Sequence, residues 1–153
     1  MAEESVRIRS MQPEDYDRVH RLWLSIHGFG MRSIDDARES IVRFLQRNPQ
    51  TSVVAQKGED IVGSILCGHD GRTGCFYHVC VREDLRRQGI GRQMVQFAVE
   101  ALTQERISKI SLFAYTDNAL GNDFWSCLGF VRREDMYNYE WQLNAANITS
   151  FNQ

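Results

Sequence analysis

The run Arg86-Arg87-Gln88-Gly89-Ile90-Gly91 is the stretch of this chain whose residue types and spacing could do chemistry. Two glycines remove side chains where the backbone must turn tightly or a ligand must come close. An apolar, strand-like segment (Cys75 to Val81) precedes the run, and an amphipathic, helix-like one (Ile90 to Leu102) follows it. A helix starting there points its free N–H groups and the positive end of its dipole back at the loop. Strand, glycine turn and helix start together suit a phosphate or pyrophosphate. The string is not a P-loop, because no Gly-Lys-Ser/Thr follows, and the Gly-x-Gly-x-x-Gly spacing of a dinucleotide fingerprint is absent. Taken alone, it also fits a surface turn ahead of a helix with no ligand at all.

The remaining candidates are spread thinly. Cys67, Cys75, Cys80 and Cys127 lack Cys-x-x-Cys spacing and read as reduced thiols, three of them in strand-like segments. His69 and His78 share no ligand spacing with them, so no metal is expected. A net charge of −2 gives no general attraction to nucleic acid or an anionic membrane. The apolar runs are too short to span a bilayer, and Met-Ala-Glu-Glu-Ser is no signal peptide. The expectation is a cytoplasmic protein. Its 153 residues make one domain, with residues 144–153 a frayed polar tail.

The elements that must position these residues follow from periodicity. Val6 and Ile8 alternate with Arg7 and Arg9 as a half-buried strand. Pro13-Glu14-Asp15 opens a helix with the stripe Val19, Leu22, Trp23 and Ile26. Gly28-Phe29-Gly30-Met31 breaks it. Ser33 or Asp35 caps a second helix, which Asn48-Pro49 ends. Thr51 to Gln56, Ile61 to Cys67 and Cys75 to Val81 form a meander. The Ile90 helix presents Ile90, Met94, Val95, Ala98, Ala101 and Leu102 on one face. A strand at Lys109 to Tyr115, a helix at Asn118 to Leu128 with Gly129 after it, and strands at Phe130 to Arg133 and Met136 to Leu143 complete the chain. The fold class is α/β. The strand–helix–strand stretch from Cys75 to Tyr115 is long enough for a parallel crossover.

With these elements in order, the chain resembles the GNAT family of acetyl-CoA-dependent N-acetyltransferases. Val79-Cys80-Val81 followed by Arg86-x-x-Gly89-x-Gly91 is similar to the family's cofactor-binding motif A. Asn118 to Phe130, with Phe124-Trp125 and Leu128-Gly129-Phe130, is similar to its motif B. The whole element order matches as well. The resemblance implies a mixed central sheet with an antiparallel meander, flanking helices, and a V-shaped splay between the fourth and fifth strands. It implies acetyl-CoA as co-substrate, a small-molecule or peptide amine as acceptor, and a homodimer as a common assembly. It also implies roles. The Val81 N–H would polarise the thioester carbonyl, and the Val79 carbonyl would pair with the pantetheine arm. The N–H groups of the Arg86, Arg87, Gln88, Gly89, Ile90, Gly91 and Arg92 stretch, from Arg87 onward, would cradle the pyrophosphate, with Arg87 or Arg92 adding charge. Asn118 would bond the pantetheine, cap its own helix, or both.

Attack on the thioester needs a neutral amine, hence a base or a water relay. Tyr77 and His78 stand where several family members place groups facing the acceptor. His78 is either that base or a core histidine bonded to a carbonyl. Many members carry a Tyr after the apolar residue of motif B as acid for the thiolate; here Trp125 stands there, and an indole is no practical acid. Trp125 would wall the thioester pocket instead. The acid would then be Tyr115, Tyr137 or Tyr139, water, or the ammonium product. Trp23, His27, Phe29, Met31, Asp35 and Asp36 are candidates for the acceptor pocket, with the two acids serving equally as a solvated helix start. Trp125 also keeps open a non-catalytic acyl-CoA-binding module.

Overall fold

The computed structural model describes residues 4–153. The alternating residues at the start form β1 (Val6–Ser10). Pro13–Asp15 makes one 3-10 turn, and α1 (Tyr16–Ser25) follows. Asp15 locks this junction. Its buried carboxylate accepts two hydrogen bonds from Arg9 at 2.8 Å, one from Arg18 at 2.8 Å and one from the Gln12 N–H at 2.8 Å. Burial would raise its pKa, but the Arg9 bonds and then the Gln12 N–H outweigh that and hold the carboxyl below its ordinary value.

A short strand, β2 (Gly30–Arg32), and α2 (Arg38–Arg47) come next. The meander is β3 (Val53–Lys57), β4 (Asp60–His69) and β5 (Gly74–Val81). Then follow α3 (Ile90–Gln104), β6 (Ile110–Ser111), α4 (Ala119–Cys127) and β7 (Thr149–Phe151). The main sheet has the order β1-β3-β4-β5-β6; β1, β3, β4 and β5 pair antiparallel, and β6 runs parallel to β5. This is the mixed α/β sheet the sequence implied. The splay lies between β5 and β6, the expected fourth and fifth strands once the short β2 is counted. The Lys109 to Tyr115 segment pairs with β5 only through Ile110 and Ser111.

Both faces of the sheet are covered. Val19, Leu22, Trp23, Ile41 and Leu45 of α1 and α2 pack on one face with Leu66 and Cys80. Ile90, Met94, Val95, Ala98 and Leu102 of α3 pack on the other with Val62, Ile65 and Phe76. β4 is therefore buried almost throughout, as a strand covered on both sides must be.

Several expectations are corrected. α2 is capped at Ala37, not at Ser33 or Asp35. The hydroxyl of Ser33 donates to the Ala146 carbonyl, and the Asp35 carboxylate accepts from Asn147, so neither side chain is free to cap. Phe130 to Arg133 and Met136 to Leu143 form no strand. Alternation supplies strand propensity, but a strand needs a ladder. No backbone N–H from Val131 to Leu143 donates to another backbone group among the described residues. Tyr137, Tyr139, Trp141 and Leu143 stand 87–89% exposed.

The tail, expected to fray, instead pairs: Thr149–Phe151 lies antiparallel to Gly30–Arg32. Its polar residues are latches. The Asn152 amide donates to the Trp23 and Ile26 carbonyls at 2.8 and 2.9 Å, at the end of α1. The Asn147 side-chain oxygen accepts from the N–H groups of Ile34 and Asp35.

Candidate functional site

A bulge in β5 decides where the candidate residues point. Ser64 pairs with Cys80 and Leu66 with Tyr77, so His78 and Val79 share one place opposite Ile65. Tyr77 and Cys80 face α1 and α2, while Phe76, Val79 and Val81 face α3. Strict alternation would send His78 to the α3 side. The bulge turns it to the α1 side instead, with φ at +49°, a left-handed conformation costing a non-glycine residue about 1–2 kcal/mol. Two bonds hold this backbone: the Trp23 indole N–H donates to Ser64 Oγ at 3.0 Å, and Ser64 Oγ donates to the His78 carbonyl at 3.2 Å.

The His78 ring packs against both Trp23 and Phe29, with centroids 4.8 and 4.9 Å away. Its Nε2 lies 2.7 Å from Asp36 Oδ1. A carboxylate accepts, so this bond places the ring proton on Nε2 and leaves the lone pair on Nδ1. Asp36 is only 5% exposed. Its Oδ2 accepts the Arg32 N–H at 2.7 Å, and its carbonyl accepts from the Tyr16 hydroxyl at 2.7 Å.

On the other edge of β5, hydrogen-bond direction alternates. The Arg82 N–H donates to the Val62 carbonyl at 2.7 Å. Val81 therefore turns its N–H and carbonyl away from β4, toward the splay. The Arg86 guanidinium Nε reaches that carbonyl at 3.3 Å. The ladder to β6 ends at Cys75–Ser111, so the Val81 edge faces the open V.

The glycine loop closes the V from below. Gly89 takes φ +83° as the N-cap of α3, and Arg87 also sits left-handed, at φ +64°. No side chain caps α3, and none of the N–H groups from Arg87 to Arg92 finds an acceptor among the described residues. These donors form an anion nest at the positive end of a 15-residue helix. Gly91 serves a different contact. A Cβ there would come within 3.1–3.2 Å of the Phe124 ring, so its bare backbone lets α4 close against α3. Arg87 and Arg92 are exposed, and neither joins an ion pair among the described residues.

Asn118 caps α4, its side-chain oxygen accepting the Gly121 N–H at 3.1 Å. Trp125 belongs to an aromatic cluster with Phe124, Phe130 and Phe76, at centroid distances of 4.9, 5.1 and 6.1 Å. Tyr77 packs edge-on against Phe44. The Cys75 thiol beside it, with partial burial, pushes its phenol up to about 12. Of the other tyrosines, the Tyr115 ring lies 5.8 Å from that of Phe151, whose backbone pairs with Gly30 of β2. Tyr137 and Tyr139 stand alone in solvent.

The acceptor-pocket candidates separate. Phe29 and Asp36 meet at His78. Trp23 is fully buried, as core. Met31 and Asp36 line a cleft of about 200 Å³ with Tyr16, His20 and Arg32. His27 is exposed and pairs with Glu83, 2.8 Å away; its backbone N–H, then its ring, hold that carboxyl below its ordinary range. Asp35 belongs to the tail latch. The Asp36–His78 pair was not legible in the sequence, because its partners lie 42 residues apart.

A splayed parallel pair, a strand N–H at Val81 turned toward the V and an anion nest fit a thioester carrying a pyrophosphate. The comparisons agree. Residues 14–130 match the model of the Acetyltransferase (GNAT) family. An acetyltransferase of Sodalis glossinidius is 30% identical over 113 residues, covering 74% of this chain and 78% of that protein. The fold is similar to that of the PaiA N-acetyltransferase of Thermoplasma acidophilum, solved with coenzyme A. That likeness has a TM-score of 0.72 at 14% identity, over 97% of this chain and 99% of the other. It is also similar to the aminoglycoside N-acetyltransferase AAC(6')-Iy, solved with a bisubstrate analogue, with a TM-score of 0.68 at 15% identity over 90% and 99% of the two chains. No helix among the described residues is long and apolar enough to cross a membrane. The chain belongs to the GNAT acetyltransferase family, enzymes that use acetyl-CoA as co-substrate in N-acetyl transfer.

Proposed function

We propose that this enzyme moves the acetyl group of acetyl-CoA to a primary amine by direct attack in a ternary complex. The Val81 N–H would donate to the thioester oxygen as charge develops on it, an oxyanion hole built from backbone. Val79, two residues back on the same edge, would offer its backbone to the pantetheine arm. The N–H groups of Arg87 to Arg92 would hold the pyrophosphate, with Arg87 and Arg92 adding charge-assisted contacts. Asn118 would approach the pantetheine with its amide NH₂, since its oxygen caps α4. Trp125 would brace α4 beneath the thioester rather than donate a proton. Tyr115 is better placed than Tyr137 or Tyr139 to protonate the leaving thiolate. Tyr77 would border the acceptor side.

His78 would take the ammonium proton on Nδ1, directly or through water. The observation that carries this reading is the bulge. It sets His78 in a strained conformation on the α1 side while the Val81 N–H, on the same strand, faces the V. Proteins keep such strain where the surrounding structure enforces it, often at active sites. Acceptors to try include polyamines, amino acids, aminoglycosides, peptide N-termini and lysine side chains; the AAC(6')-Iy likeness places aminoglycosides on that panel. The test is thiol release from acetyl-CoA across the panel. His78→Gln should lower kcat on the best amine by about 10²- to 10⁴-fold, the usual contribution of a general base. Acetyl-CoA binding with no turnover on any amine would instead indicate a non-catalytic acyl-CoA-binding module.

A further inference from the structure

The geometry points to Asp36 as the positioning residue for His78: a buried carboxylate, supplied by the segment between β2 and α2, that fixes the imidazole tautomer and orientation needed for proton removal. This rests on the reading of His78 as the base. The side-chain carboxylate of Asp36 has two strong partners, and each constrains it. Oδ1 meets His78 Nε2 at 2.7 Å; Oδ2 meets the Arg32 N–H at 2.7 Å. The backbone of Asp36 is tied as well. Its N–H donates to the Arg32 carbonyl at 3.2 Å, and its own carbonyl accepts from Tyr16. The Arg32–Asp36 turn is thus closed through both main chain and side chain.

The pair cannot be explained by stability alone. Burying a carboxylate against an imidazole is a poor stabiliser beside well-packed apolar groups of the same volume. Here it is combined with a left-handed histidine and a strand bulge, two further costs at one residue. The three costs share one result, a ring held in place by several contacts at once. Trp23 and Phe29, themselves stacked, both pack against the imidazole, and Asp36 takes Nε2, so in the neutral ring Nδ1 keeps the lone pair. When His78 accepts a proton there, the carboxylate already lies beside the cation that forms, and no group must reorient. Asp36 does not touch the substrate in this role; it acts through His78.

The experiment uses the full chain, acetyl-CoA at saturation and the best amine of the panel. Asp36→Asn keeps the shape and one acceptor oxygen but lets the ring adopt either tautomer. It should lower kcat at least about 10-fold, within what a general base contributes, and leave KM for acetyl-CoA unchanged. Asp36→Glu should recover part of the rate, and it serves in place of Asp36→Asn if that variant fails to fold. In the double variant with His78→Gln, Asp36→Asn should add no further loss, because a positioning residue has nothing left to position. Imidazole ¹⁵N spectra should show the Nε2–H tautomer in the parent and a mixture in Asp36→Asn. A full rate for Asp36→Asn beside an impaired His78→Gln overturns the proposal alone. Equal losses from Asp36→Asn in both backgrounds also overturn it, since they mark a structural role. A full rate for His78→Gln overturns the base reading itself, and the proposal with it.

Discussion

The two sides of β5 are built by different means. On the α3 side, the nest and the V are backbone: unsatisfied N–H groups of Arg87 to Arg92, and the Val81 edge, well past the last β5–β6 pair at Cys75–Ser111. The Arg87, Gln88 and Arg92 side chains there are exposed. On the α1 side, the site is made of side chains. Trp23, Phe29, Ser64, Asp36 and His78 interlock through rings and hydrogen bonds of 2.7–3.2 Å. A backbone grip tolerates almost any side chain and recognises what every acetyl-CoA carries. In the proposed reading, the side-chain site meets the acceptor and moves its proton. The difference teaches that substitutions should separate binding from chemistry according to which side they touch.

The largest expected effect tests whether the acceptor side depends on buried polar ties. Asp15→Ala leaves Arg9 and the Gln12 N–H without their partner and should destabilise the fold by about 3–5 kcal/mol, the cost of breaking a buried pair. The check is denaturant unfolding. The pH dependence follows in sign. The Asp15 carboxyl is held low in the fold, so its stabilisation is present above the ordinary carboxylate range. That stabilisation is lost as pH falls through the lowered folded value. Asp15→Ala should therefore flatten the acid limb of stability.

Smaller effects should come from the latch and the nest. Asn152→Ala removes two hydrogen bonds to the end of α1, each worth about 0.5–1.5 kcal/mol, and should loosen the acceptor side while CoA affinity stays the same. Thermal unfolding with and without CoA reads both. Gly91→Ala pushes a methyl against Phe124 and should cost about 1–3 kcal/mol by overpacking, weakening CoA binding with it. The smallest effect is in thiol chemistry. Burial pushes Cys67 and Cys80 up to about 12, so both should resist a thiol reagent at pH 8 while exposed Cys127 reacts. Labelling of Cys80 in the native protein would mean that the side-chain-built face opens readily, and labelling of Cys67 that the α3 face does.

Legibility in the sequence follows the same division. The nest could be read because its determinants are local: two glycines, a preceding strand and a helix stripe of period 3.6. The stripe Ile90, Met94, Val95, Ala98 and Leu102 packs as its spacing implied, with Ala101 left half-buried. The acceptor side could not be read, because a bulge at Ser64–Leu66 decides which way His78 turns, and bulges leave no mark on periodicity. Asp35 and Asp36 look alike in sequence. Only the fold separates a latch residue bonded to Asn147 from a buried partner of His78. The tail misled for the opposite reason: its asparagines read as solvated polar residues, yet they satisfy backbone groups far away in the chain. Tyr137 to Leu143 alternates as a strand does, but pairing depends on an available edge rather than on alternation.

The most direct test of this division is one sample of His78→Gln carried through two readings: the dissociation constant for acetyl-CoA, and the rate of thiol release with the best amine at saturation. The account predicts an unchanged dissociation constant with turnover reduced about 10²-fold or more. Turnover at the parent rate, or a loss of acetyl-CoA affinity as large as the loss of rate, would contradict it.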